Sequence, residues 1–151
     1  MLDNIPVSYM LGQTLKAFKN KMGTKLKEND VELSFELSIT LFFLSCANKN
    51  PTQQDMAKLL QKDKSLILRQ INTLIEKKYV VRIQDQSDKR KKKLILTKKG
   101  EDTLESMRNI GRQVEKELLC GIADKDLSLF REILSKIQSN AGLEEEYYIC
   151  K

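Results

Sequence analysis

Apolar residues recur at helical spacing over 6–29, where Leu11, Leu15, Phe18, Met22 and Leu26 are separated by steps of 4, 3, 4 and 4. The stripe is narrow. It suits a helix packed on its own core and equally a helix packed on a partner subunit, and Pro6 suits its first turn. A denser segment, 34–47, carries Phe35, Ile39, Phe42, Phe43 and Cys46 at helical spacing, which predicts a buried central helix with Cys46 as a small core residue. Thr52 followed by Asp55 predicts a capped short helix ending near Leu60, with Met56, Leu59 and Leu60 on its inner face. After a turn at 61–63, Asp63 or Ser65 caps a further helix running to about Lys77, and Ile67, Ile71 and Leu74 mark its buried side. Residues 79–83 and 93–97 are β-branched or aromatic enough to predict two strands. A long helix then covers about 98–119, and Gly111 with the sparse stripe Leu104, Met107, Val114 and Leu118 predicts a connector, not a core helix. A final helix, about 124–141, carries Leu127, Phe130, Ile133, Leu134 and Ile137.

Two short helices joined by a tight turn, the second presenting Lys64, Arg69, Asn72 and Thr73 opposite its apolar side, form the helix-turn-helix pattern. The two strands enclose a polar loop over 84–92 with Lys89, Arg90, Lys91, Lys92 and the adjoining Lys93, a hairpin with a cationic tip. The predicted fold is therefore mainly α with a small β-hairpin wing. One domain spans 1–151: a winged helix-turn-helix part at about 34–100, flanking helices in 1–33 and 101–141, and a tail over 142–151 that the pattern does not assign.

Charge sharpens this picture. The net charge of +6 divides into +1 over 1–50, +9 over 51–100 and −4 over 101–151. A basic centre between neutral and acidic ends suits a polyanion partner, although a lysine-rich solvated face has the same composition. The chain has no His and no Trp, which removes the commonest general base and metal ligand and disfavours an enzyme. Cys46, Cys120 and Cys150 are odd in number and widely spaced, fitting neither a disulfide framework nor a zinc site. No apolar run reaches the ~18–20 residues that cross a bilayer, and the first residues lack a secretion pattern. The expectation is a cytoplasmic protein with no membrane partner and no cofactor.

The stretch from Pro51 to Gly100 resembles the DNA-binding core of the MarR family of bacterial transcription regulators. The matching features are the Thr52 cap with the small Ala57, Asp63 before the second helix, and Val80 to Arg82. They continue with the wing residues Asp88, Arg90 and Lys93 and with Leu96, Thr97 and Gly100 opening the next helix. The resemblance implies a two-fold homodimer whose first and last helices intertwine, here through Leu11, Leu15, Phe18, Phe130, Ile133 and Ile137. It further implies two winged parts reading a palindromic operator in double-stranded DNA. A repressor released by a small aromatic or amphipathic ligand, bound between the dimerisation and DNA-binding parts, completes what the resemblance implies. Lys78 stands where the family has Gly, so a positive φ there would be strained. The family's peroxide-sensing branch carries a reactive Cys in the first helix, and this sequence has none there.

Under this reading Ser65, Arg69 and Asn72 are candidates for base edges, Arg for guanine and Asn for adenine. Leu66 and Leu68 either touch thymine methyl groups or cover the domain's own surface, and Thr73 completes the exposed side. Lys64, Thr52 and the wing cations Lys89, Arg90, Lys91, Lys92 and Lys93 suit phosphate, with Arg90 positioned to enter a minor groove. Asp88 suits orienting Arg90, because a carboxylate would be repelled by DNA. The competing readings are a winged helix used as a protein-interaction module and a regulator sensing redox through a thiol.

Overall fold

The computed structural model describes residues 4–47 and 50–143. Along the chain run α1 (Val7–Glu28), α2 (Phe35–Cys46), α3 (Gln53–Leu59), α4 (Lys64–Glu76), β1 (Val80–Gln84), β2 (Lys92–Leu96), α5 (Lys98–Leu118) and α6 (Asp124–Asn140). Each expected element is present. Four helix starts are fixed by side chains: Ser34 accepts from Leu37 N–H, Thr52 and Asp55 form a reciprocal capping box, Asp63 accepts from Ser65 and Leu66 N–H, and Thr97 accepts from Gly100 N–H.

The helix ends follow a different rule. Behind α4, Lys78 N–H donates to the Ile75 carbonyl and Tyr79 N–H to the Leu74 carbonyl, both at 2.9 Å, closing a Schellman motif. The same pair of bonds closes α1 at Asp30 and Val31, and α3 at Gln61 and Lys62. Asp30, Gln61 and Lys78 accordingly take the left-handed region, Lys78 at φ +63°. The strain expected of Lys78 is therefore present.

The hairpin is antiparallel, pairing Val80 with Leu96 through to Gln84 with Lys92. Both strands sit one residue away from the stretches expected from composition. Tyr79 N–H is consumed by the α4 cap and the Thr97 side chain by the α5 cap, so the hairpin continues past Val80 and Leu96 only through Thr97 N–H donating to the Tyr79 carbonyl at 3.0 Å. Leu94 N–H donates to the Pro51 carbonyl at 2.9 Å, which ties the wing to the start of α3. At the junction of wing and α5, Thr97 Oγ1 donates to the Lys78 carbonyl at 2.6 Å and Lys99 Nζ to the Lys77 carbonyl at 2.9 Å. Gly100 lies so close to the Tyr79 carbonyl oxygen that a Cβ there would fall inside 3.0 Å.

The core joins Leu26 of α1 and Leu41 of α2 to Met56, Ile67, Ile71, Leu74, Val80 and Leu94. Two expectations are corrected here. Helix α5 is not a mere connector: Leu104, Met107, Ile110 and Val114 are all buried in the same core. Its stripe looks sparse only until Ile110 is included, beside a glycine that leaves the helix uninterrupted. On α2 the buried residues are Ser38, Thr40, Leu41 and Leu44, while Phe35, Ile39, Phe42, Phe43 and Cys46 are only half-buried. This helix is apolar on nearly every side. Its aromatic side faces α1 and α5, and the leucine side faces the domain.

The narrow α1 stripe divides. Leu26 is buried, Phe18 and Met22 pack against the core, Leu11 is half-buried and Leu15 is exposed. Among the described residues none of α6 is buried, and Phe130, Ile133 and Ile137 stand exposed along it. Of the tail, 144–151 lie outside the described residues, and with them Cys150. No described helix is long and apolar enough to cross a membrane.

Candidate nucleic-acid interface

Burial of Ile67, Ile71 and Leu74 leaves the opposite side of α4 at the surface. Lys64, Ser65, Leu68 and Arg69 are exposed, and Leu66, Asn72 and Thr73 are half-buried. Ser65 is not available in full, since its hydroxyl donates to the Asp63 carboxylate that caps the helix. That hydroxyl, together with the Ser65 and Leu66 N–H groups, holds the Asp63 carboxyl below its ordinary range. Thr73 Oγ1 donates back to the Arg69 carbonyl at 3.0 Å. Gln70 is buried and accepts from Thr40 Oγ1 of α2 at 2.8 Å.

Asn72 is engaged by a residue that periodicity does not single out for it. Arg82 on β1 donates from Nη2 to Asn72 Oδ1 at 2.8 Å and to Gln53 Oε1 of α3 at 3.4 Å. One guanidinium thereby joins α3, α4 and the wing. The Val-x-Arg pattern contains Arg82, but a bond across ten residues and a helix cap has no periodic signature.

In the wing, Asp85 is the organising residue. Its carboxylate pairs with Lys93 at 2.8 Å and accepts from Ser87 N–H and Oγ at 2.7 Å each. The Lys93 ammonium first, then the Ser87 hydroxyl and N–H, hold the Asp85 carboxyl far below its usual range. Lys93 is thus drawn inward, leaving Lys89, Arg90, Lys91 and Lys92 exposed at the tip. Asp88 accepts from Arg90 N–H at 3.1 Å and lies 3.5 Å from Arg90 Nε, while the Arg90 side chain stays 94% exposed. Asp88 thus lies beside Arg90 and, at 3.9 Å, beside Lys91 Nζ. Thr52 is occupied: its hydroxyl and N–H both donate to Asp55 Oδ2, at 2.7 and 2.9 Å, which keeps the Asp55 carboxyl low.

Helices α1, α2 and α5 border an open groove of about 860 Å³. Its walls include Phe18, Phe35, Phe42 and Met107, with Arg108 and Arg112 at its α5 side. Among the described residues no three His, Cys, Asp or Glu side chains converge as metal ligands. Cys46 is half-buried at the end of α2, and Cys120 is exposed beyond α5.

Comparison with known proteins agrees with this geometry. The model of the MarR family matches residues 41–92, from the second half of α2 to the start of β2. The HTH-type transcriptional regulator BilQ of Clostridium symbiosum is 24% identical over 112 residues, covering 73% of this chain and 75% of that protein. The chain superimposes with a TM-score of 0.80 on MepR of S. aureus in its DNA complex, at 26% identity over 91% of this chain and 99% of that one. E. coli MarR in its apo form shares the fold at a TM-score of 0.73 and 20% identity, over 88% and 97% of the two chains. Six helices and a two-stranded wing among the described residues, with the helix-turn-helix and most of the wing falling inside the matched segment, give the chain the winged-helix fold of these proteins and, over 41–92, a likeness to the MarR family.

Proposed function

We propose that the protein is a homodimeric, cytoplasmic repressor that reads a palindromic operator with two copies of α4 and two wings, and that a small ligand releases it. The observation that carries the reading is the Arg82 bridge, which holds the exposed side of α4 and the cationic wing as one surface. Residues 34–100 form the DNA-binding part, and the helices in 1–33 and 101–141 dimerise, α5 serving the core as well. Val7, Tyr9 and Leu15 of α1 and Leu129, Phe130, Ile133 and Ile137 of α6 expose apolar surface that a second copy would cover. Arg69 and Asn72 address bases, with Ser65, Leu66, Leu68 and Thr73 around them. Lys64, Lys89, Arg90, Lys91 and Lys92 address phosphate, and Asp88 orients Arg90. Thr52 and Lys93 act chiefly through their internal bonds. The aromatic walls of the groove between α1, α2 and α5 and its two arginines favour an amphipathic aromatic anion as ligand.

The test is DNA affinity against salt for the full chain and for a variant with Arg90, Lys91 and Lys92 changed to Gln. Specific and random duplexes should weaken together, and the slope of log K against log salt should fall by roughly 0.9 for each phosphate left unneutralised. An unchanged slope with weakening confined to one sequence refutes the wing's role. A folded monomer by sedimentation at micromolar concentration refutes the dimer.

A further inference from the structure

A guanidinium has donors only, so whichever amide atom faces it must be the oxygen. Arg82 therefore fixes the Asn72 carboxamide: Oδ1 turns toward β1 to receive a charge-assisted bond of 2.8 Å, and Nδ2 is left as the outward end. The same Nη2 lies 3.4 Å from Gln53 Oε1, which holds the guanidinium from a third element. No partner within the described residues engages Nδ2. An unconstrained asparagine reads adenine by accepting from N6 and donating to N7 at once. With its oxygen turned toward β1, Asn72 offers the groove a pair of N–H donors, which match the adjacent N7 and O6 acceptors of guanine.

We propose that Arg82 is a specificity-positioning residue that converts Asn72 from an adenine reader into a donor-only contact for guanine. The inference rests on the reading of α4 as the helix that enters the major groove. Arg82 acts through Asn72 and not on the bases itself. Its removal frees the carboxamide to rotate, restoring the two-sided hydrogen-bonding pattern that favours adenine.

The experiment is selection from a library of duplexes with randomised cores by the full chain, by Arg82→Ala, Asn72→Ala and Arg69→Ala, and by the Arg82→Ala/Asn72→Ala double variant. The wild type should prefer guanine at one base pair per half-site, and Asn72→Ala should reduce that preference about fivefold, the worth of one ordinary hydrogen bond. Arg82→Ala should lose the guanine preference or move it to adenine at that base pair alone, leaving the position read by Arg69 intact. The double variant should match Asn72→Ala, and Arg82→Lys, which keeps a donor, should restore part of the preference. Melting curves of Arg82→Ala check that the fold is retained. A wild-type preference for adenine where Asn72→Ala acts overturns the proposal. So does an Arg82→Ala variant that weakens all sequences equally with a lower salt slope, because Arg82 is then a phosphate ligand. Flattening of every α4-dependent position also overturns it, since Arg82 is then only a strut. If neither Arg69→Ala nor Asn72→Ala alters any base preference, α4 does not read DNA, and it is the underlying functional reading that fails.

Discussion

Replacing Gly100 by alanine sets two effects of opposite sign against each other. An ideal Cβ there falls inside 3.0 Å of the Tyr79 carbonyl oxygen and 3.2 Å from its carbonyl carbon, backbone atoms with no rotamer to yield. Relief requires the start of α5 and the Tyr79 peptide to separate by something on the order of 1 Å in an interior packed without slack. That same oxygen accepts from Thr97 N–H at 3.0 Å, so the displacement stretches this bond past useful range. Overpacking costs about 1–3 kcal/mol, and the broken bond about 1 kcal/mol. The better helix propensity of alanine offsets up to about 1 kcal/mol. The expected balance is a loss of about 1–3 kcal/mol, or roughly 2–12 °C in Tm for a chain of this size. Gly111 on the same helix is the control, since nothing lies within 4 Å of a Cβ there. Gly111→Ala should stabilise by up to about 1 kcal/mol. Urea unfolding followed by helical circular dichroism, at fixed protein concentration, measures both. If Gly100→Ala stabilises as Gly111→Ala does, the close approach to Tyr79 is not a constraint and the reasoning fails.

Three further outcomes are expected. Lys78→Gly should raise stability by about 1 kcal/mol, because it relieves a left-handed lysine without touching either bond of the α4 cap; a loss in chemical unfolding would refute this. Thr40→Val should cost about 1–3 kcal/mol, because Gln70 would lose its buried partner in a pocket of nearly unchanged shape, and a neutral result would mean the bond contributes nothing. The depressed carboxyls of Asp55, Asp63 and Asp85 stabilise the fold above the ordinary carboxylate range, near pH 4, and that contribution is lost as pH falls through their folded values. Tm should therefore fall on acidification below about pH 4, with the Ser87 and Asp88 amides losing exchange protection early, and should stay level from about pH 5.5 to 7.5 in a chain without His. A stability step near pH 6.5 would contradict it.

Much of this architecture is legible in the sequence because caps and apolar spacing are local signals. Thr52 with Asp55, and Asp63, each mark a helix start that the structure repeats, whereas Thr97, read locally as the end of a strand, caps α5. Helix ends are less legible, since glycine is the usual marker and here Asp30, Gln61 and Lys78 take the left-handed position. The face of α2 is ambiguous for a different reason: its phenylalanines and leucines form two apolar stripes, and only tertiary context decides which one meets the domain. For the candidate interface, the sequence identifies the cations and the exposed side of α4 but not their internal obligations. Lys93 drawn to Asp85, and Asn72 drawn to Arg82, depend on distances between elements that no local period encodes.

Helix α2 touches the groove through Ser38, Ile39 and Phe42 and α4 through Thr40. A helix is about 10–12 Å across, so a side-chain tip rides roughly 5–6 Å from the axis. Rolling α2 by only ~10° carries every such tip about 1 Å along its arc, on both sides at once. A hydrogen bond of 2.8 Å cannot follow a displacement of that size and remain one. A roll of the aromatic side of α2 therefore either drags Gln70 and α4 along or severs the link to them, and α2 is an axle with the groove at one rim and α4 at the other.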